Sequence, residues 1–260
     1  MKKITICFLL LISTMVYAQT LNIHTRNGSV NSYNLAEIDS ISFLPVSAEL
    51  TVTDIDGNIY RTVTIGTQIW MAENLKVTHY RNGDAIPNVA DSTGWADLTT
   101  GAYCNYNNYI NHANLYGRLY NWYAIDDSRG LAPEGWHVAT DEEWKQLEMY
   151  MGMSQSDADL TGWRGTDQGM KLKSTFGWTN YVGGSGNGTD DYGFTALAGG
   201  YREDGRYEHL GVDASFWTAS PGSQDDFAWW RDMYNNNTAI RRYDYKKSLG
   251  MSIRCVKDTE

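Results

Sequence analysis

Basic residues are the first shortage. The 260-residue chain has 21 Lys and Arg against 31 Asp and Glu, a formal charge of −10. Residues 1–18 hold Lys2 and Lys3 and no acid, so beyond them 19 basic residues (21 less two) face 31 acidic ones, a charge of −12. Phosphate binding needs a positive field, so this balance argues against nucleic acid and against an electrostatic hold on anionic lipid. Long apolar runs are also missing: past the N-terminus no stretch is long enough to span a membrane. Catalytic signatures are missing as well. The five histidines, His24, His79, His112, His137 and His209, never fall at H-x-x-x-H spacing. There is no G-x-S-x-G, no Walker pattern, and no cysteine with a matching histidine. The doublets Glu142-Glu143, Asp190-Asp191 and Asp225-Asp226 are adjacent in sequence, and adjacent side chains point apart on a helix or strand, so they make poor glycosidase pairs. Cysteine is scarce too, with three in all.

What is present begins with an export signal. Lys2 and Lys3 precede an apolar run over residues 4–16, too short for a span, and Val16-Tyr17-Ala18 suits cleavage before Gln19. Residues 1–18 therefore read as a signal peptide, and the mature chain is expected in the periplasm, at the cell surface or secreted. Cys7 lies inside the apolar run, too early for a lipid anchor. Cys104 and Cys255 remain, and an oxidising compartment makes a disulfide between them the leading reading, worth roughly 2–5 kcal/mol. Two unpaired buried thiols are the alternative. Hydrophobic content of 42% is enough for a real core.

In order, residues 19–43 alternate around Asn27-Gly28, a strong hairpin turn, and form a small β unit. Residues 44–49, with Pro45, are the linker. From residue 50, two strand patterns flank Asp56-Gly57 as a hairpin. Asp54, Asp56 and Asn58 do not start an EF-hand, since the sixth and twelfth positions are Ile59 and Ile65 and not Gly and Glu; turn chemistry explains them better. Glu73 and Asn74 read as structural hydrogen-bonders at a corner. Residues 117–148, GRLYNWYAIDDSRGLAPEGWHVATDEEWKQLE, organise the rest. Leu115, Leu119 and Trp122 predict one helix. Gly130, Pro133 and Gly135 break it, and Trp136, His137 and Val138 form a strand in which His137 reads as structural. Thr140 and Glu143 form a capping box for a second helix bearing Trp144, Leu147 and Met151, with Gly152 after its end. Later strands are expected around residues 216–220, 227–231, 240–245 and 250–256, with turns at Asp204-Gly205 and 235–237.

Several stretches resemble one family: QIWMAENL (68–75), GAYCNYNNY (101–109), LAPEGWHVATDEEW (131–144), MKLKS (170–174), YGFTALAGGYR (192–202) and GMSIRCV (250–256). They are similar to the Fibrobacter succinogenes major paralogous domain, present once over about residues 50–258. The short β unit resembles those following signal peptides in Bacteroidetes surface proteins. LAPEGWHVATDEEW also resembles the strand-to-helix step of C-type-lectin-like folds, including the formylglycine-generating sulfatase-modifying group. The resemblance implies an α+β fold of lectin-like architecture: mixed, mainly antiparallel sheets, two principal helices, and chain ends side by side in one sheet. The sulfatase-modifying relatives act through reactive cysteines. Here both cysteines sit in segments that read as structural, so no enzyme is expected; a free thiol at either would revive that reading and a bridge would sink it.

Ten Trp and eighteen Tyr exceed what a core of this size requires. Aromatic faces stack on sugar faces, and Asn and Asp bond hydroxyls, a mix suited to a glycan or a surface protein. The densest local cluster is Asp225, Asp226, Trp229, Trp230, Arg231, Asn235 and Asn236, although one of Trp229 and Trp230 should face the core. Asn187, Asp190 and Asp191, in a Gly-rich run, offer oxygens to calcium, but the same composition is ordinary turn chemistry, the stronger reading. The expected function is non-catalytic binding at the cell surface, of glycan first and of protein as the alternative.

Overall fold

Short strands divided by turn residues build most of the chain. The computed structural model describes residues 20–24, 30–34 and 51–259. The expected signal peptide, Asn27-Gly28 turn and linker lie outside these. The chain separates into two compact units, Met1–Ala48 and Glu49–Glu260. In the first, β1 (Thr20–His24) pairs antiparallel with β2 (Val30–Asn34).

The second unit opens with β3 (Thr51–Thr53) and β4 (Ile59–Ile65), an antiparallel hairpin. Asp54 makes its turn. The Asp54 Oδ1 accepts from the backbone N–H groups of Asp56 and Asn58 at 3.0 and 2.9 Å, and Oδ2 accepts from the Tyr60 hydroxyl at 2.6 Å. β5 (Gln68–Met71) follows, then α1 (Ser92–Ala96), β6 (Tyr103–Cys104) and α2 (Ile110–Tyr116). The single helix expected through Leu115, Leu119 and Trp122 is broken. Gly117 takes φ 80°, and a Cβ there would stand 2.6 Å from the Asn74 Cβ. The chain turns there into β7 (Leu119–Tyr120), which pairs with β6, and a short α3 (Trp122–Ile125). Close approach to the Asn74 corner, not helical periodicity, decides this stretch. Asn74 itself donates to the Tyr116 carbonyl at 2.7 Å and accepts from Arg254 Nε at 2.6 Å.

β8 (Trp136–Val138) leads into α4 (Asp141–Tyr150), whose capping box is formed as the sequence predicts. The Thr140 Oγ1 accepts from the Glu143 N–H at 3.2 Å, and the Glu143 Oε2 accepts from the Thr140 N–H at 2.8 Å. Gly152, at φ 100°, ends the turn beyond it. Then come α5 (Gln155–Ala158), β9 (Gly162–Arg164), α6 (Gln168–Leu172), the hairpin β10 (Tyr201–Glu203) and β11 (Arg206–Glu208), β12 (Asp213–Pro221), β13 (Phe227–Tyr234), β14 (Ile240–Lys246) and β15 (Cys255–Lys257).

The fold is α+β with antiparallel sheets, and among the described residues only α2 and α4 have seven residues or more. One sheet runs β3-β4-β5-β15-β8, so the first and last strands of the unit share a sheet, but β4 and β5 separate them and they do not lie side by side as expected. The other runs β12-β13-β14-β9. Between them Trp144 of α4 packs edge-on against Trp70 and Phe194, at 5.1 and 5.5 Å between ring centroids, and at 5.6 Å from Phe216. Eight of the ten Trp are buried, so the tryptophan part of the aromatic surplus is mostly core.

The expected Cys104–Cys255 bridge is not formed. Both thiols are free and buried, and each is packed in a different apolar cluster, Cys104 with Trp95 and Leu119, Cys255 with Tyr60 and Val138.

Candidate functional site

The sheet β12-β13-β14-β9 has two faces of opposite character. Alternation puts Trp229, Arg231, Arg242 and Arg164 on the side of α4. There Arg231 joins Asp141 and Glu148 at 2.7 Å each, Arg242 joins Asp141 at 2.7 Å, and Arg164 joins Glu148 at 2.8 Å. Burial alone would raise the Asp141 carboxyl, but hydrogen bonds from Arg242 and the charge of Arg231 hold it down at about 2. Burial lowers Arg164 to about 10. The Trp229 ring lies under the Arg242 guanidinium, 3.7 Å from its centroid.

The other face carries a groove of about 390 Å³. Trp230 of β13 stands opposite Tyr243 of β14, and Arg241 of β14 opposite Trp163 of β9. Tyr245 continues the β14 row, and Tyr201 and Glu203 of β10 form the far wall. Trp163 and Tyr243 are exposed, at 40% and 48%, while Trp230 is buried at the floor. The Arg241 guanidinium stacks 4.7 Å from Trp230 and 5.3 Å from Trp163, and its charge is met by Asp232 at 2.7 Å. The indole N–H of Trp230 has no hydrogen-bond partner among the described residues.

Beside this face sits a buried acidic pair. The Ser215 Oγ lies 3.2 Å from Asp213 Oδ1 and 3.4 Å from Asp232 Oδ1. Burial raises both carboxyls, and the neighbouring Asp213 raises Asp232 further. Asp213 also holds His209 at 2.8 Å, and its hydrogen bond keeps the imidazole raised toward the charged form. The Tyr234 hydroxyl closes on the same His209 nitrogen at 2.9 Å. The cluster ties β12 to β13 through Ser215.

Of the residues the sequence marks, Trp230 alone lines the groove. Arg231 is fully buried in its ion pairs, and Trp229 faces α4. Asp225 and Asp226 precede β13 and Asn235 and Asn236 follow it, so the eight-residue strand holds them roughly 26 Å apart at about 3.3 Å per residue. The Asn235 side chain donates to the Thr179 carbonyl at 3.1 Å. Proximity in sequence along a strand does not make one cluster. Two of the three residues proposed for calcium, Asn187 and Asp190, have oxygens already in use, while Asp191 is exposed. Asn187 Oδ1 accepts from the Trp178 N–H at 3.1 Å, and Asp190 accepts from the Thr195 N–H and hydroxyl at 2.7 and 2.8 Å. Among the described residues no group of three His, Cys, Asp or Glu is placed to hold a metal ion. Tyr243, Tyr245, Trp163 and Tyr201 were not marked by the sequence; the alternation of residues 240–245 was the one available signal, since it puts both tyrosines on a single face.

The thiols are free, but burial raises Cys104 to about 11 and Cys255 further. Thiolate is the reactive form, and burial disfavours it at both positions. Among the described residues no helix is long and apolar enough to cross a membrane. In comparison with known proteins, the family model described as Fibrobacter succinogenes major domain matches residues 63–257. No curated protein and no solved structure matches the chain.

Proposed function

The chain belongs to the Fibrobacter succinogenes major domain family, and on that footing we propose that it is an exported, non-catalytic module that binds saccharide in the groove of the β12-β13-β14-β9 sheet. One observation carries the reading: exposed Trp163 and Tyr243 flank a buried Trp230 whose N–H has no partner among the described residues. Aromatic faces cover the apolar faces of sugar rings, and a hydroxyl supplies the acceptor that a buried N–H otherwise lacks. The lysine-led apolar N-terminus supports export. The test is calorimetry against a panel of oligosaccharides, with and without chelator. Saccharide binding indifferent to chelator, and weakened about tenfold by Trp163→Ala or Tyr243→Ala, is the expected result; about 1.4 kcal/mol per tenfold matches one lost ring contact. Binding that survives both substitutions would remove the groove as the site.

Protein binding is the second reading. It is favoured by the outer side of α2, where Tyr109, Ile110 and Leu115 are exposed at 65%, 55% and 50%. Loss of partner capture on Ile110→Asp, with saccharide binding intact, would favour it.

A further inference from the structure

The groove does not end at its aromatic wall. Tyr201 and Glu203 belong also to a second hollow, of about 310 Å³, on the β10–β11 hairpin, bordered by Asp204, Arg206 and Glu208. In register, Glu203 faces Arg206, and Tyr201 faces Glu208. Three carboxylates against one guanidinium leave this shelf negative. The charge reaches into the groove: the Glu203 charge raises the Tyr245 hydroxyl, and with Asp213 it adds to the rise that burial gives Tyr201. Inside the groove Arg241 is already paired, with Asp232 at 2.7 Å. The continuous surface therefore offers aromatic faces at one end and unanswered negative charge at the other.

Resting on the saccharide reading above, we propose that the groove and shelf together select glycans bearing free amines, that is de-N-acetylated amino sugars, and discriminate against uronates. A sugar ring would stack on Trp163 and Tyr243. A neighbouring ammonium would meet Glu203 and Glu208 and the faces of Tyr201 and Tyr245, where carboxylate and ring quadrupole both attract a cation. A uronate in the same place would bring a carboxylate to the Glu203 carboxylate in a partly desolvated site, a like-charge contact that costs affinity.

The experiment titrates three oligosaccharides of equal length, of glucosamine, N-acetylglucosamine and galacturonate, into the whole protein by calorimetry. The glucosamine chain is expected to bind about tenfold tighter than the acetylated one and the galacturonate chain weakest, with the amine preference shrinking as salt rises. Glu208→Gln, outside the groove, should reduce the amine preference and leave the affinity for the acetylated chain unchanged, which also shows that the variant is folded; Glu203→Gln, in the groove wall, should reduce the amine preference as well. Equal or tighter binding of the acetylated or uronate chain would overturn the amine preference and leave saccharide binding standing. Oligolysine binding as tightly as the glucosamine chain, and unaffected by Trp163→Ala, would overturn it in favour of a general cation surface. Binding of none of the three would overturn both readings.

Discussion

Glu148 lies inside the protein between two guanidiniums, Arg231 at 2.7 Å and Arg164 at 2.8 Å, and all three side chains are essentially without solvent. A buried pair contributes little net stability when intact, because desolvation offsets attraction. Removing one member is different, since it strands the other charge. Glu148→Ala is therefore expected to destabilise by about 3–5 kcal/mol in urea titration, and Glu148→Gln by less. A loss under about 1 kcal/mol would mean that water reaches the network. The thiols make a second residue-scale prediction. Cys104 and Cys255 are buried and raised, so a thiol reagent should label neither in the native protein and both after denaturation. Little of this could be read from the sequence. Arg231 lies in a run of strand residues, and nothing nearby shows that its partners are Asp141 and Glu148 on a helix far upstream. Two cysteines in a chain whose N-terminus reads as an export signal likewise suggest a bridge, while their pairing depends on which clusters the strands carry them into.

At the scale of elements, His137 on β8 staples three segments. Nε2 meets Glu143 of α4 at 2.7 Å and Nδ1 meets Asp258, just past β15, at 2.6 Å. Both carboxylates only accept, so the ring keeps both protons, and the Glu143 hydrogen bond, against burial, pushes its pKa up to about 9. A folded pKa above the unfolded value of about 6.5 makes the staple's contribution complete below that pH and lost as pH rises through 9. The stability difference between the natural protein and His137→Asn should therefore shrink between pH 6.5 and pH 9 in parallel urea titrations. A constant difference would mean the ring is neutral throughout. Thr140→Ala removes the cap and should cost about 0.5–2 kcal/mol at any pH above the range where Glu143 titrates. The cap was legible because Thr140 and Glu143 are three residues apart and need only each other. The groove was not, because it exists only once β9 pairs beyond β14 and sets Trp163 opposite Arg241. Register between distant strands is fixed by the whole sheet, and local alternation gives the facing of each strand without its neighbour.

For the whole molecule, the division at Ala48 and Glu49 predicts that a fragment from Glu49 onward keeps the near-ultraviolet spectrum and urea midpoint of the second unit. A fragment that loses them would make the first unit part of the same cooperative fold. The α+β class and most strand–turn alternations of this unit were readable in advance. The interruption at Gly117 was not, since it depends on contact with Asn74, a residue remote in sequence.

The position of β15 carries a consequence for the timing of synthesis. It is the common neighbour of β5 and β8, which do not touch each other in the sheet order. Until residues 255–257 have been made, β3, β4 and β5 form one open piece and β8 stands alone. Non-local pairing of this kind delays folding until the distant partner is at hand. A nascent chain of this design thus stays unclosed for nearly the whole length of the domain, the condition in which a polypeptide can still be threaded through a narrow channel.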